Sequence, residues 1–129
     1  MKRRLPEERP GLIHQVAIGG QQVYFRTGEF VNSNGERTLG EIFITIDKEG
    51  GTLRVYDALG IAISIGLQHG IPIEDFINKF RYLGFEPNGV TSNPKIPLVK
   101  SIVDYLARWL QQTYSKQNQN ENQPEEDTE

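Results

Sequence analysis

The chain contains no cysteine among its 129 residues, and this absence removes whole classes of function. Without thiols there are no disulfides, no thiolate metal sites and no thiol catalysis. Histidine is also scarce, because only His14 and His69 are present and they show no metal-ligand spacing such as HxxxH or HExxH. Neither histidine has a nucleophile or a set of acids beside it in the sequence. We therefore predict no metal, no cofactor and no catalytic residue, and hence a protein that is not an enzyme.

Long hydrophobic runs are missing as well. No stretch is apolar for long enough to span a bilayer, and residues 1–6 lack the apolar segment of a signal peptide. The sequence therefore predicts a cytoplasmic protein with no membrane partner. Hydrophobic residues make up 36% of the chain, which suits one compact domain with a modest core.

The net charge of −3 hides an uneven distribution of acidic residues. Residues 117–129 contain five acids and no base, so the first 116 residues have 14 bases, 12 acids and a net charge of +2. The segment is also rich in Asn and Gln and has no large apolar residue, which predicts a disordered acidic tail over 116–129. A charge of +2 is too small to indicate duplex nucleic acid as a partner, but it is compatible with a small anionic ligand.

The first half of the chain has the patterns of antiparallel strands. Residues 1–11 are charged and contain two prolines, so we expect an N-terminal arm there. Two short strands over 12–18 and 21–25 are joined by Gly19-Gly20, a pair that suits a tight hairpin turn. A third strand over 39–47 alternates isoleucine with other residues at the period of a half-buried strand.

Three helices are predicted in the second half. The first covers about 52–68, the second 73–82 and the third 98 to about 112, with Pro97 in the first turn of the third helix. Together with the strands, these helices predict an α+β domain over 12–115. Its small antiparallel sheet has about three strands, and about three helices pack on one face of that sheet.

The first predicted helix, with Thr52 as its N-cap, is apolar on almost every face between Ala58 and Leu67. Such a helix is buried on all sides, either within the domain or between subunits. Gly60 and Gly66 would allow another backbone to approach closely, at a cost in helix propensity. Because few other elements are available to cover this helix, a subunit interface is one of the two expectations.

Two arginines are candidates for binding an anion. Arg54 follows a glycine turn over 47–52 that can present N–H groups to a phosphate, or can be a plain strand-to-helix connection without the spacing of a P-loop. A cation in the first turn opposes the helix dipole, so Arg54 needs an acidic partner or an anionic ligand. Arg108 is either a surface arginine paired with Asp104, four residues earlier, or a clamp for phosphate or carboxylate.

A polar loop before the third helix supplies the remaining candidates. Asn88, Thr91 and Asn93 follow the aromatic Phe85 within a few residues. Asparagine amides can bond to base edges and an aromatic ring can stack on a base. The Asn-Gly and Asn-Pro pairs in this loop are also explained by turn geometry alone. Both interpretations stay open from the pattern.

Several stretches of the chain resemble the C-terminal domain of adenosylcobalamin-dependent ribonucleotide reductases, the group of TSCPD domains. They are LPEERPGL at 5–12, GEIFI at 40–44, DKEGGTLR at 47–54, FEPNG at 85–89 and SIVDY at 101–105. The likeness covers most of the chain. At the motif that names the group the chain reads TSNPK from Thr91 to Lys95, so the cysteine is replaced and any redox or metal role of it is lost.

The chain also resembles the phage anti-Thoeris family of the first described type. That resemblance implies a sponge, which sequesters cyclic ADP-ribose-type signals, and in some members cyclic oligonucleotides, without cleaving them. It implies a nucleotide-binding domain over 12–115 in the host cytoplasm, and a homo-oligomer built from dimers, such as a hexamer. With Thr91 added from the polar loop, the ligand-binding residues carried over are Arg26, Arg54, Phe85, Asn88, Thr91, Asn93 and Arg108.

Two other functions stay open. The first is an accessory domain of a ribonucleotide reductase whose catalytic chain is separate, because this chain has neither the length nor the cysteines of the reductase barrel. That function predicts association with a large reductase subunit. The second is a structural oligomerisation module, which predicts that no nucleotide stabilises the protein against heat.

Overall fold

A computed structural model describes residues 2–46 and 54–115. The glycine turn over 47–52, its predicted N-cap Thr52 and the tail over 116–129 lie outside the described residues. Within the described ranges the elements follow in the order β1 (Ile13–Ile18), β2 (Gln21–Val31), β3 (Arg37–Ile46), α1 (Arg54–Gln68), α2 (Ile73–Phe80), β4 (Gly89–Val90), β5 (Leu98–Val99) and α3 (Ile102–Tyr114).

The predicted α+β fold is confirmed. The main sheet is antiparallel with three strands in the order β1-β2-β3, and three helices accompany it. β2 is longer than the predicted 21–25, because it continues to Val31 through a register shift between Gly28 and Glu29. Because the residues at this shift are polar, the predicted strand ended too early. A bulge allows the strand to continue past a buried charged residue.

The core lies between the inner face of the sheet and α3. Alternate residues of the strands point inward, and the buried ones include Val16, Ile18, Val23, Phe25, Ile42 and Ile44. Opposite them, α3 supplies Tyr105, Leu106, Trp109 and Leu110. The Phe25 and Tyr105 rings stack with their centroids 5.9 Å apart. Because α2 packs on α3, the second helix forms an outer layer on the same side.

The third helix begins at Ile102, so the predicted start at 98 is wrong. Leu98–Val99 form β5, which pairs with β4 in a second, two-stranded antiparallel sheet. Ser101 is the N-cap, and its Oγ accepts a hydrogen bond from the Asp104 N–H at 2.9 Å. This side-chain cap starts the helix more effectively than Pro97, which merely tolerates a first turn.

α1 covers the outer edge of β3. The Ser64 Oγ accepts a hydrogen bond from the Ile42 N–H at 2.9 Å, and the Gln68 side-chain amide donates to the Gly40 carbonyl at 3.0 Å. A Cβ at Gly60 would lie 2.9 Å from the Ile42 carbonyl oxygen, so only glycine allows this approach without adjustment. The helix thereby satisfies backbone groups that an open sheet edge would expose.

The opposite side of α1 is not covered by the described chain. Val55, Ile61 and Ile65 are 63%, 58% and 49% exposed. The expectation that this helix is buried on all sides within the domain is therefore wrong, because β3 covers only one side. Burial between subunits stays a prediction.

The N-terminal arm packs against the domain. The Arg3 N–H donates to the Gln68 carbonyl at 2.7 Å, and the Arg3 guanidinium carbon lies 3.7 Å from the centroid of the Phe30 ring. Arg9 pairs with Glu41 at 2.6 Å. These contacts join the arm to α1 and to both longer strands of the sheet.

Candidate functional site

Asp104 organises the surface on which the candidate site lies. It occupies the first turn of α3 and is fully buried. Its Oδ1 accepts hydrogen bonds from the Tyr82 N–H at 2.6 Å and from the Arg108 Nε at 3.1 Å, and its Oδ2 accepts one from the Lys100 N–H at 2.8 Å. One carboxylate therefore ties the segment after α2 and the segment after β5 to α3, and it also orients Arg108.

Tyr82 has an unusual backbone for its residue type. α2 ends at Phe80, two residues before the predicted end, and Tyr82 follows with φ of 71° in the left-handed region that favours glycine. A non-glycine residue in this region costs about 1–3 kcal/mol, and such strain is often found at functional sites. The bond to Asp104 holds the strained backbone in place, and the Tyr82 ring is 57% exposed.

The Tyr82 ring lies close to two guanidinium groups. The Arg81 and Arg108 guanidinium carbons are 5.2 Å and 5.0 Å from the ring centroid. Cations within about 6 Å of an aromatic face are attracted by its quadrupole. The result is an exposed aromatic ring fixed beside two cations, a combination that suits a ligand with both a planar ring and negative charge.

Two grooves meet at Arg108. The first has a volume of about 270 Å³ and is lined by Arg81, Tyr82, Lys95, Ile96, Pro97, Arg108, Gln111 and Gln112. The second has a volume of about 400 Å³ and is lined by Gly84, Asn88, Gly89, Leu98, Val99, Lys100 and Arg108. In the part of the chain that the structure describes, Arg81, Lys95 and Lys100 form no ion pair.

Three predicted ligand-binding residues lie around these grooves. Arg108 is shared by both grooves, and Asn88 lines the second. Phe85 is exposed, and its N–H donates to the carbonyl of Lys100, which also lines the second groove, at 3.0 Å. Both interpretations of Arg108 fit the geometry, because its Nε pairs with Asp104 while its guanidinium borders open space.

Thr91 and Asn93 have partners within the loop. The Thr91 hydroxyl donates to the Ile96 carbonyl at 2.5 Å. The Asn93 side-chain amide donates to the Tyr105 hydroxyl at 2.8 Å, and its oxygen accepts from the Lys95 N–H at 3.0 Å. These bonds fit the interpretation in which both side chains shape the turn, and any role in ligand binding would act through the shape of the loop.

Arg26 and Arg54 do not line either groove at Arg108. Arg26 lies on the outer face of the sheet, and its Nη2 donates to the Thr45 hydroxyl at 3.3 Å. Arg54 begins α1 at the β3 edge and pairs with Asp57 at 3.9 Å, which supplies an acidic partner. A single pocket that contained these two arginines and Arg108 would need a second subunit.

Sequence reasoning missed several residues of this surface, namely Arg81, Tyr82, Lys95 and Lys100. The predicted second helix ran through Tyr82, so its special backbone was hidden. Lys95 and Lys100 lie on either side of β5, which was predicted to be part of α3. The one signal that could have pointed to them was the number of basic residues between 79 and 108, most of them outside the predicted apolar stripes.

His14 packs against aromatic residues of the core and lines neither groove. Its ring stacks on Trp109 with the centroids 4.9 Å apart, and its Nε2 lies 2.7 Å from the Tyr105 hydroxyl. Because Asn93 donates to that hydroxyl, the hydroxyl proton is directed to His14, which is then the acceptor. Burial lowers the pKa of His14 and raises the pKa of Tyr105, so both groups are kept neutral.

Metal binding and membrane spanning find no support in residues 2–46 and 54–115. No group of three or more His, Cys, Asp or Glu side chains in these ranges could hold a metal ion. No helix in the same ranges is long and apolar enough to cross a membrane.

Comparisons with known proteins agree on one family. The model of the TSCPD domain matches residues 1–114. The chain is 42% identical over 118 residues to the vitamin B12-dependent ribonucleotide reductase of Rhodopirellula baltica, covering 91% of this chain and 11% of that protein. It is 42% identical over 115 residues to the enzyme of the same name from Agrobacterium fabrum, covering 88% of this chain and 9% of that protein.

A third relative is the vitamin B12-dependent ribonucleotide reductase of Streptantibioticus cattleyicolor, which is 40% identical over 111 residues, covering 85% of this chain and 18% of that protein. The chain thus spans less than a fifth of the length of these relatives. No solved structure gives a significant match. The predicted resemblance to the reductase domain is confirmed, whereas these relatives give no support to the sponge assignment. The chain belongs to the TSCPD domain family.

Proposed function

We propose that the chain is a nucleotide-binding accessory domain that works with a cobalamin-dependent ribonucleotide reductase and does not itself catalyse the reduction. The observation that carries the proposal is the Arg108–Tyr82 pair, which buried Asp104 fixes at the junction of two cation-lined grooves. The names of the relatives support ribonucleotides as the class of ligand. The names of the relatives also favour an association with a reductase over a sponge.

Each part of the surface matches one part of a nucleotide. Arg108 is oriented in advance by its carboxylate partner, so binding a phosphate costs it little conformational entropy. Arg81 and Lys95 add positive charge on one side and Lys100 adds it on the other. The exposed ring of Tyr82 or Phe85 can stack on a base, and the Asn88 amide can bond to its edge.

Binding without turnover fits the chemistry of the chain. It has no cysteine that could supply the thiol chemistry of a reductase barrel. The only acid bonded to this surface, among the residues that the structure describes, is Asp104, and Arg108 and two backbone N–H groups occupy its oxygens. A group engaged in this way positions its neighbours.

The test is calorimetric titration with ADP of the wild type, Arg108→Gln and Phe85→Ala. Charged hydrogen bonds contribute about 1.5–3 kcal/mol, so we expect the Arg108 variant to bind at least about tenfold more weakly. Arg37→Gln is the matched control, because Arg37 also pairs with a buried carboxylate but lies outside both grooves. Unchanged affinity in a folded Arg108→Gln protein would show that this site is assigned wrongly.

The reductase association needs its own experiment. The tagged chain should retain a large reductase subunit from lysate of the source organism, and the captured subunit should be identified by mass spectrometry. If ADP binds but no such subunit is captured, nucleotide binding would be supported and the accessory role contradicted.

The sponge remains a second candidate, and a specific observation favours it. The same surface offers cations and aromatic rings, and the described residues that line its two grooves include no acid, which suits capture of a cyclic ADP-ribose-type signal or a cyclic oligonucleotide. Titration with cyclic ADP-ribose isomers, followed by recovery of the ligand after heat denaturation, separates the candidates. Tight binding and an intact recovered ligand would favour the sponge, and no binding would favour the reductase accessory domain.

The exposed side of α1 supports a homo-oligomer, built from dimers and extended to a hexamer if a second contact exists. The apolar stripe along this side contains Val55, Ala58, Ile61, Ala62 and Ile65. Between Ala58 and Gln68 the helix has no charged residue that would keep this side in water. Light scattering of the wild type and Ile61→Lys tests the interface, because a charge in the stripe should lower the measured mass.

A structural oligomerisation module without a ligand is the third alternative. It requires that neither ADP nor a cyclic nucleotide raises the melting temperature of the oligomer. A ligand that binds only the folded state must raise it. A thermal shift with any of these nucleotides would therefore remove this alternative.

A further inference from the structure

An acidic segment follows α3 in the sequence, and α3 borders the cation-lined groove. The first groove is lined by Arg81, Lys95 and Arg108, and the last turn of α3 forms one of its walls. The chain then continues through 116–120, without an acid, to Glu121, Glu125, Glu126, Asp127 and Glu129. A five-residue spacer, in which Lys116 is the one charged residue, therefore connects α3 and Ser115 to the acids.

Two residues that line this groove are bonded to the last turn of α3. Arg81 donates from Nη1 to the Gln111 side-chain oxygen at 3.4 Å. The Gln112 side-chain amide donates to the Lys95 carbonyl at 3.4 Å. Arg81 and Lys95, two of the three cationic residues of the groove, thus contact the helix within four positions of its final residue, Tyr114.

The length of the tail is sufficient. From Arg108 to Tyr114 the helix rises about 9 Å, at 1.5 Å per residue. Glu125 comes ten residues after Ser115, and an extended chain of that length spans up to about 33 Å. This length is enough for the acids to reach Arg81, Lys95 and Arg108.

We propose that the acidic tail over 117–129 binds the groove formed by Arg81, Lys95 and Arg108 of its own chain and competes there with the phosphates of a nucleotide. The competition rests on the proposed function, whereas the contact between tail and groove does not. An attached segment acts at an effective concentration in the millimolar range, so even a weak contact reduces the apparent affinity for a ligand. Tight nucleotide binding would then require displacement of the tail.

The first arm of the test maps the contact in the full-length protein without a nucleotide. A zero-length carbodiimide reagent joins carboxylates to lysine amines in direct contact, and mass spectrometry locates the products. We expect the tail acids to be joined mainly to Lys95, at dilutions where products between chains are absent, and to lose this preference in 0.5 M NaCl because the charges are screened. Lys79 on α2 and Lys2 on the arm are internal controls, because neither lines the groove.

Equal joining to all three lysines, or preferred joining to Lys2, would overturn the proposal. Lys2 tests the other cationic part of the chain, since Lys2, Arg4 and Arg9 line a separate pocket beside Gln68. Preferred joining to Lys95 supports the contact even if ADP does not bind, in which case only the nucleotide function fails.

The second arm measures competition with ADP in two matched full-length variants. Glu125→Gln/Glu126→Gln removes two adjacent tail charges, and Glu7→Gln/Glu8→Gln removes two adjacent charges from the exposed arm. At low salt we expect the tail variant to bind ADP about threefold more tightly or better, and the arm variant to match the wild type. Equal affinity of both variants and the wild type, or equal gains, would refute the competition.

Discussion

Two buried carboxylates with the same kind of partner serve different ends of α3. Glu29 is 3% exposed and pairs with Arg37 at 2.7 Å, and Asp104 is fully buried and pairs with Arg108 at 3.1 Å. Each also accepts hydrogen bonds from neutral groups of a neighbouring segment. The two carboxylates differ in whether these partners join elements of the fold or border the grooves.

The partners of Glu29 join the end of α3 to the sheet. The Tyr114 hydroxyl donates to Glu29 and lies 2.8 Å from the Thr27 hydroxyl, which accepts from the Leu12 N–H at 2.9 Å. The end of α3 is thereby bonded to β2 and to the residue before β1. These bonds form one chain from Leu12 through Thr27 and Tyr114 to Glu29, so the network fastens the sheet to the helix.

The partners of Asp104 are presented to solvent. It holds a strained tyrosine whose ring is exposed and an arginine that borders two grooves. A similar buried pair can thus fasten elements together or fix side chains for binding. The arginines do not distinguish these uses, because the Arg37 side chain is 51% exposed and the Arg108 side chain is 29% exposed. The other partners do, since Tyr114 is bonded within the fold and Tyr82 is exposed.

The largest expected effect is the loss of stability in Asp104→Asn. An asparagine accepts on one oxygen only, so its NH2 group would face an N–H donor, and the ion pair with Arg108 would be lost. Breaking a buried pair costs about 3 kcal/mol, to be read from urea unfolding. Glu29→Gln is the matched change, and it should cost less because Arg37 is half-exposed and solvent screens its charge. An equal or greater loss in Glu29→Gln would contradict the comparison.

A smaller loss is expected in Tyr114→Phe, about 1–2 kcal/mol near pH 8, because Glu29 loses a buried donor. Burial and the bond to Glu29 raise the pKa of Tyr114 above the ordinary tyrosine value of about 10. The neutral hydroxyl therefore stabilises the fold below pH about 10, and this contribution falls as pH rises toward the raised pKa. The gap between wild type and variant in urea should narrow above pH 10.

Tyr24→Phe is the control for that measurement, because it removes a hydroxyl from the outer face of the sheet. Its stability should follow the wild type across the same pH range. If the gap between wild type and Tyr114→Phe widened above pH 10, the hydroxyl would not be a neutral donor to Glu29, and the fastening network would be described wrongly.

The sequence predicted the parts of the fold that depend on periodicity. The alternation of β3 and the apolar spacing of α3 are local patterns, and both elements were found with errors only at their ends. The start of α3 was missed although Ser101 and Asp104 have the S-x-x-D spacing of a helix N-terminus, and the cap bond runs from the Asp104 N–H to the Ser101 Oγ. The bond from the Tyr82 N–H to the Asp104 carboxylate joins residues 22 positions apart, and no local pattern predicts it.

The candidate site was predicted less completely for the same reason. Arg108, Phe85 and Asn88 were found from residue type and from the family resemblance. Tyr82 was not, because its importance comes from a positive φ that sequence assigns to glycine. Arg26 and Arg54 were placed with Arg108 by resemblance, whereas the fold of one chain separates them onto the outer face of the sheet and the β3 edge.

Tyr82→Asn is expected to have the smallest effect on stability. It is also the most direct test of whether Asp104 fixes the Tyr82 ring for binding. Asparagine tolerates the left-handed backbone, so relief of strain should offset lost ring contacts and keep the free energy of unfolding within about 1 kcal/mol of wild type. The backbone N–H to Asp104 is retained, but the ring beside Arg81 and Arg108 is gone. ADP affinity should therefore fall several-fold in calorimetry, in line with a stacking contribution of about 1–3 kcal/mol.

Tyr114→Phe, which alters the fastening network alone, should bind ADP as the wild type does. If instead Tyr82→Asn bound normally while unfolding much more easily, Asp104 would fasten the structure as Glu29 does, and the contrast between the two carboxylates would disappear.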